Sequence, residues 1–152
     1  MAIEYTTEST ILWKMIWDCL SGDAPLIALL GHTSSNSHIG RIQQKEHLND
    51  PCLTFGQQTL AKIPNNDQPR ILSLRRLYFQ LNAYSEKSDA IAANVMEIAL
   101  EAIVGERLNY NIYKTEPIDW DQFLTAPYWD EDEKNYRVDS RISIIIKQCS
   151  QS

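Results

Sequence analysis

The sequence predicts an α+β domain: a mainly antiparallel sheet of four or more strands with helices packed on one face. Three stretches carry this expectation. From Leu74 to Tyr84, Leu77, Phe79, Leu81 and Ala83 alternate with Arg76, Tyr78, Gln80 and Asn82. Near the end, Val138, Ser140, Ile142, Ile144 and Ile146 alternate with Arg137, Asp139, Arg141 and Ser143. Side chains of a strand point to opposite faces in turn, so each pattern describes one face on a core and one face toward water or a partner. Between them the period changes to that of a helix, with Ile91, Val95, Ile98 and Ala102 on one stripe, widened by Ala92, Ala99 and Ile103.

The elements follow in order. Thr6 or Thr7 can cap a first helix, with Glu8 near its positive end. Leu12, Met15, Ile16, Cys19 and Leu20 form its buried stripe, and Trp13 and Trp17 lie four apart on an adjoining face. That pair suits either half-buried packing or an aromatic anchor for a neighbouring subunit. Ser21-Gly22 ends the helix. Asp23 then caps a short second one over 24–30, with Pro25 in its first turn and Gly31 closing it.

Residues 32–37 are small and polar, and 39–42 form a short extended piece. Pro51 opens a strand over Cys52-Leu53-Thr54-Phe55, a position where proline costs no ladder bond. Gln57 to Arg70 contains Pro64-Asn65-Asn66-Asp67 and Pro69, a dense set of turn formers, and is expected to be a long protruding hairpin connection. Lys62, Asn65, Asn66, Asp67 and Arg70 are its candidate contact residues. Ser85-Glu86-Lys87-Ser88-Asp89 then supplies oxygens for the orphan N–H groups of the central helix, and Gly105 is its left-handed stop. Residues 109–118 are tyrosine-rich and extended. Residues 119–135 are expected to be an acidic connection with Trp120, Phe123, Tyr128 and Trp129 embedded in it, before the last strand at 136–147.

A chain of 152 residues suffices for one domain, taken here as 1–152. Its 43% hydrophobic and 22% charged residues fit a soluble globular protein, and no apolar run is long enough to span a bilayer. The first five residues lack the positive region and apolar stretch of a secretory signal. Cys19, Cys52 and Cys149 show no pairing or metal-ligand spacing, which favours buried reduced thiols. The net charge of −6 and pI near 5.0 argue against a general nucleic-acid binder. Charge is also unevenly spread. Arg70, Arg75 and Arg76 cluster mid-chain, whereas Asp130, Glu131, Asp132 and Glu133 form the densest acidic block.

No residues point to a reaction. His32, His38 and His47 lack zinc-ligand spacing, so no metal is expected. The acidic block lacks the glycine and alternating oxygens of a calcium loop. No phosphate-cradling glycine loop or nucleophile elbow occurs, and no catalytic residue or cofactor is assigned.

The whole order resembles the tail-terminator, or tail-completion, proteins of tailed bacteriophages. The resemblance is carried by 23–31 (Asp-Ala-Pro-Leu-Ile-Ala-Leu-Leu-Gly), by the proline-opened strand at 51–55 and by the strand Leu77-Tyr78-Phe79-Gln80-Leu81-Asn82-Ala83-Tyr84-Ser85. That strand feeds the alanine-rich helix at 90–104, and the alternating strand at 136–147 closes the pattern. The connections at 57–70 and 119–135 are longer than a minimal member needs, and Tyr84 stands where the family commonly has tryptophan. The resemblance implies a structural virion protein, not an enzyme. It would form a homohexameric ring in the tail or neck, assembled in the host cytoplasm, that stops growth of the tail tube and docks to a head-completion or connector protein. Genome DNA would pass through without specific binding, and no membrane is involved. Another neck component, or a small α+β enzyme or ligand-binding domain, is the alternative. On the ring reading, Trp13, Trp17, Trp120, Tyr128 and Trp129 join the hairpin residues as candidate partner or subunit contacts. Asp130, Glu131, Asp132 and Glu133 become a candidate acidic lumen or axial face.

Overall fold

The structure, a computed structural model, describes residues 4–62, 75–110 and 113–148. Two helices come first, α1 (Glu4–Ser21) and α2 (Ala24–Leu30). A short strand β1 (Ile39–Arg41), a 3₁₀ turn (Ile42–His47), and the long strands β2 (Cys52–Lys62) and β3 (Arg75–Ser85) follow. After α3 (Asp89–Ile103) come β4 (Asn109–Tyr110), β5 (Tyr113–Thr115), β6 (Asp119–Leu124), β7 (Tyr128–Asp130) and β8 (Asn135–Gln148).

The fold is α+β, as expected, with one refinement: β1 pairs parallel to β2, so the eight-stranded sheet is mixed. Its order is β1-β2-β3-β8-β5-β4. β8 is the spine. One edge pairs with β3 from Ser85↔Tyr136 to Arg75↔Ile146. Its other edge is lined in succession by β7 opposite 135–137, β6 opposite 140–143 and β5 opposite 146–148. A 14-residue strand exposes backbone donors and acceptors on both sides, and three short strands together satisfy the side that β3 leaves open.

The helix ends follow the capping chemistry. The Asp23 carboxylate accepts from the Leu26 N–H at 3.1 Å, and Gly31 closes α2 at φ 77°. Ser88 Oγ accepts from the N–H groups of Ala90 and Ile91, while Ser85 Oγ accepts from those of Lys87 and Ser88. Gly105 takes the left-handed conformation at φ 89° and donates its N–H to Ile118 at 2.7 Å. The first helix begins by Glu4, so Thr6 and Thr7 lie within it and do not cap it.

The core lies between the helices and one face of the sheet. Leu12, Ile16 and Leu20 of α1 and Leu26 and Leu30 of α2 join Leu53, Phe55, Leu77, Phe79, Leu81, Val138, Ile142, Ile144 and Ile146, all buried. On α3 the buried stripe is Ala92, Val95, Met96, Ala99 and Ile103. It is rotated from the expected one: Ile91, Ile98 and Ala102 are half-buried at its margins. Ala92 and Ala99 at its centre let the helix approach the sheet closely, which a stripe centred on isoleucines would prevent.

Two expected connections are strands. Residues 57–62 continue β2, paired with β3 out to Lys62↔Arg75 with a register shift between Gln57 and Thr59. The remainder of that connection, with Asn65, Asn66, Asp67 and Arg70, lies outside the described residues. Residues 119–130 form β6 and β7, because the open edge of β8 offers them ladder bonds.

Candidate functional site

The face of the sheet opposite the helices is polar and internally bonded. Register places Thr54, Asn82 and Asp139 in one cross-strand row, and Cys52, Tyr84, Arg137 and Tyr128 in the next. Arg137 Nε donates to Asp139 Oδ1 at 2.6 Å and its Nη1 donates to Asp130 Oδ2 at 2.8 Å. The Tyr128 hydroxyl donates to the second oxygen of Asp139 at 2.8 Å, and the Asp139 N–H donates to Thr125 Oγ1 at 3.0 Å. The Arg137 and Lys45 cations lie 5.4 and 4.7 Å from the ring centre of Tyr84. Burial pushes the Tyr84 hydroxyl well above its ordinary value. Burial also raises Tyr128, to about 12, helped by its bond to Asp139, so both phenols stay neutral at physiological pH.

This network fastens β7 and its turn to the sheet, and it divides the acidic block. Asp130 faces inward: besides Arg137 it accepts from the N–H groups of Asp132 and Glu133 at 2.9 and 3.1 Å. Glu133 pairs with Lys45 at 3.4 Å. Glu131 and Asp132 are exposed. Only part of the expected acidic face is therefore free to present charge.

β6 is fastened differently. Trp120 Nε1 donates to Ser140 Oγ at 2.9 Å, and that hydroxyl donates to the Phe123 carbonyl at 2.7 Å. Arg141 donates to Asp121 and lies 5.2 Å from the centre of the Phe123 ring. Between Trp120↔Ile142 and Leu124↔Ser140, three residues of β6 lie against the single residue Arg141 of β8, with Gln122 at φ 53°, so the strand bulges. Five large apolar side chains of β6, β7 and their link stand at 40–53% exposure: Trp120, Phe123, Leu124, Tyr128 and Trp129; register puts Trp120, Leu124 and Trp129 on the helix side of the sheet and Tyr128 on the opposite side. They are held by ladder and side-chain bonds rather than carried on an unpaired loop. Four of them are the aromatics singled out in the sequence, and three of these, Trp120, Tyr128 and Trp129, are its candidate contacts. Leu124 was not, because its neighbours Thr125, Ala126 and Pro127 look like ordinary loop; the bulge that exposes it has no local sequence signal.

Trp13 and Trp17 lie elsewhere, on the helix side. Their rings stack with centres 5.9 Å apart, Trp13 continues onto Phe55, and the Arg41 guanidinium sits 4.4 Å from the Trp13 ring. Both are half-buried, so part of each ring is engaged within the subunit. Lys62 ends β2.

The histidines do not converge. The His38 N–H donates to His32 Nδ1 at 3.0 Å, and His38 Nδ1 lies 2.7 Å from the Pro51 carbonyl, which requires that nitrogen to carry a proton. His47 is exposed beside Glu46. Among the described residues no group of three or more His, Cys, Asp or Glu could hold a metal ion. Burial raises Cys19 to about 11 and Cys52 to about 12, so both are protonated, unreactive thiols. Among the described residues no helix is long and apolar enough to cross a membrane.

No protein-family model matches the chain, and no curated protein sequence matches it. By structure it is similar to a chain in "Virion of native gene transfer agent (GTA) particle", with a TM-score of 0.70 at 14% sequence identity. The match covers 90% of this chain and 94% of that one. The likeness extends over both chains nearly end to end, and it is a likeness of fold: the architecture described above is one found within a virion.

Proposed function

We propose that this chain is a structural protein of a phage-type virion, and within that class a tail terminator. The observation that carries the reading is the end-to-end fold match to a virion chain. The order of elements and the Asp23-to-Gly31 and Tyr84-Ser85 signatures, by which the sequence resembles tail terminators, support the finer assignment. On this reading the protein forms a homohexameric ring. A head-to-tail contact closes into a ring only when its rotation divides a full turn, and the closed ring has two different faces. One face matches the last ring of the tail tube. The other does not, so growth stops there and the head-completion or connector protein finds its docking surface.

The exposed aromatics Trp120, Tyr128 and Trp129 are subunit or partner contacts in this account, as are the hairpin residues and the outer parts of Trp13 and Trp17. Glu131 and Asp132 supply the acidic face toward the channel. Repeated in each subunit, their potential adds across the opening and keeps DNA from adhering. Glu131→Lys/Asp132→Lys rings would then retain DNA with a steep salt dependence; rings that ignore DNA at low salt would put these carboxylates elsewhere.

The functional test is addition of the purified protein to polymerising tail-tube protein. Capped tubes of shortened length in electron micrographs are expected at substoichiometric amounts. Tubes that elongate unchanged would overturn the terminator assignment.

A further inference from the structure

Between α3 and the link from β6 to β7 lies an apolar cleft of about 470 Å³. Met96 and Val138, both buried, form its floor, Ala93 and Leu100 its helix wall, and the exposed Leu124 and Pro127 its outer lip. Ala93 and Leu100 stand two turns apart, which makes that wall about 10 Å long. At 53%, Leu124 is the most exposed large apolar side chain among the described residues. Glu97 and Glu101 stand on the rim, one turn apart, both exposed and neither with a cation partner among the described residues.

Apolar surface and charge together define what fits. An occupant that covers the cleft also takes water from Glu97 and Glu101, and a carboxylate covered without a counter-charge is costly. The occupant must therefore bring cations beside its apolar side chains. The rim repels an acidic segment, a nucleic acid or an anionic membrane surface. A second copy of this chain fits poorly too. Its net charge is −6, and among the described residues five of the seven large exposed apolar side chains, Trp120 to Trp129, lie in the acid-rich stretch 119–133. The acidity also continues in one direction. Glu101 lines a second cleft, of about 550 Å³, with Asp18, Asp23 and Glu106. Arg107 lines it as well and Lys14 pairs with Asp18, which leaves negative charge in excess there.

We infer that the α3 cleft is a docking groove for a basic amphipathic segment of a different protein, whose apolar side chains, one to two helical turns apart, seat between α3 and Leu124. Its lysines or arginines pair with Glu97 and Glu101, and further cations run toward Asp23 and Glu106. This is helix-in-groove recognition, with apolar anchors supplying affinity and the charged rim supplying orientation. The groove is complete within one subunit, so the inference goes beyond the ring reading and does not depend on it.

Fluorescence polarisation on the full chain tests it, with a synthetic helix-forming peptide that carries leucine at i, i+3, i+4 and i+7 and lysine elsewhere. A permuted peptide of the same composition, lacking that stripe, is the control. The amphipathic peptide should bind, more weakly as salt rises, and should shift the methyl NMR signal of Met96 on the cleft floor. Glu97→Gln/Glu101→Gln and Leu124→Ser should each weaken binding roughly tenfold. All three side chains are exposed, and circular dichroism checks that each variant is folded. Absence of binding, an unmoved Met96 signal, unweakened variants or equal binding of the permuted peptide would each overturn the proposal. A Met96 signal that moves with protein concentration alone, and no longer does so in Leu124→Ser, would assign the groove to a second copy and overturn it too. The ring reading is judged separately, by the particles seen in micrographs, so either can fail without the other.

Discussion

Arg137 reaches Asp139, two positions along β8, with its Nε and Asp130 on β7 with its Nη1, at 2.6 and 2.8 Å. One guanidinium therefore fixes the short strand that carries the exposed Tyr128 and Trp129. The fork geometry of arginine matters, since a lysine ammonium cannot present two fixed N–H directions to separate carboxylates.

Arg137→Ala should lower stability by about 2–4 kcal/mol, because it leaves two largely buried carboxylates without their cation. Urea unfolding checks this, and Arg137→Lys should recover only part of the loss. An Arg137→Ala midpoint equal to that of the wild type would show that the network contributes nothing.

Acid should loosen the same region. Burial alone would raise the Asp130 carboxyl, but the bonds from Arg137 and from the Glu133 and Asp132 N–H groups outweigh it and hold the group below its ordinary value. A depressed carboxyl stabilises the fold above the unfolded-state value, near ~4, and that contribution is lost as pH falls through the lower folded value. Thermal melts should thus be insensitive to this group from neutrality to about pH 5 and decline below about pH 4. Asp130→Asn should have a lower melting temperature at pH 7 and a shallower acid decline.

His32 governs a second, milder range. Burial, with His38 nearby, lowers its pKa, and its Nδ1 must be unprotonated to accept the His38 N–H. The neutral form is therefore the folded form. Its contribution is complete above about 6.5, the unfolded value, and is lost as pH falls toward the lower folded value. His32→Asn, whose Oδ1 can take the same N–H, should keep stability at pH 7 and flatten this slope. A variant with the wild-type slope would mean another group titrates.

Phe79→Ala and Ile144→Ala should each cost roughly 2–5 kcal/mol, the range for large-to-small changes at fully enclosed positions. Phe79 is 2% and Ile144 0% exposed, on neighbouring strands of the core face. Variants that both melt like the wild type would contradict the register.

The sequence made the skeleton legible wherever one physical constraint dominated. Alternation on β3 and β8 named the core face because a one-residue slip would turn Ile142, Ile144 and Ile146 to water. Asp23, Ser88, Gly31 and Gly105 marked helix ends because orphan backbone groups have few ways to be satisfied. What escaped depended on long-range pairing. Residues 119–130 look like an acidic loop until β8 is present to bond them, and Gln57–Lys62 become strand only against β3. Likewise the inward turn of Asp130 is set by Arg137, which nothing at 130–133 announces. Trp120, Tyr128 and Trp129 could be singled out as aromatics in polar sequence. That they all lie along one edge of β8 follows from both short strands pairing with it.

The central claim is that this chain assembles into a closed ring that caps a tube. Negative-stain class averages of the purified protein at micromolar concentration, alone and with tube ends, test it most directly. The account predicts sixfold rings, each six copies of a 17.5 kDa chain, free or seated on tube termini. Particles that remain single 17.5 kDa subunits in both conditions, with tube ends left bare, would contradict it.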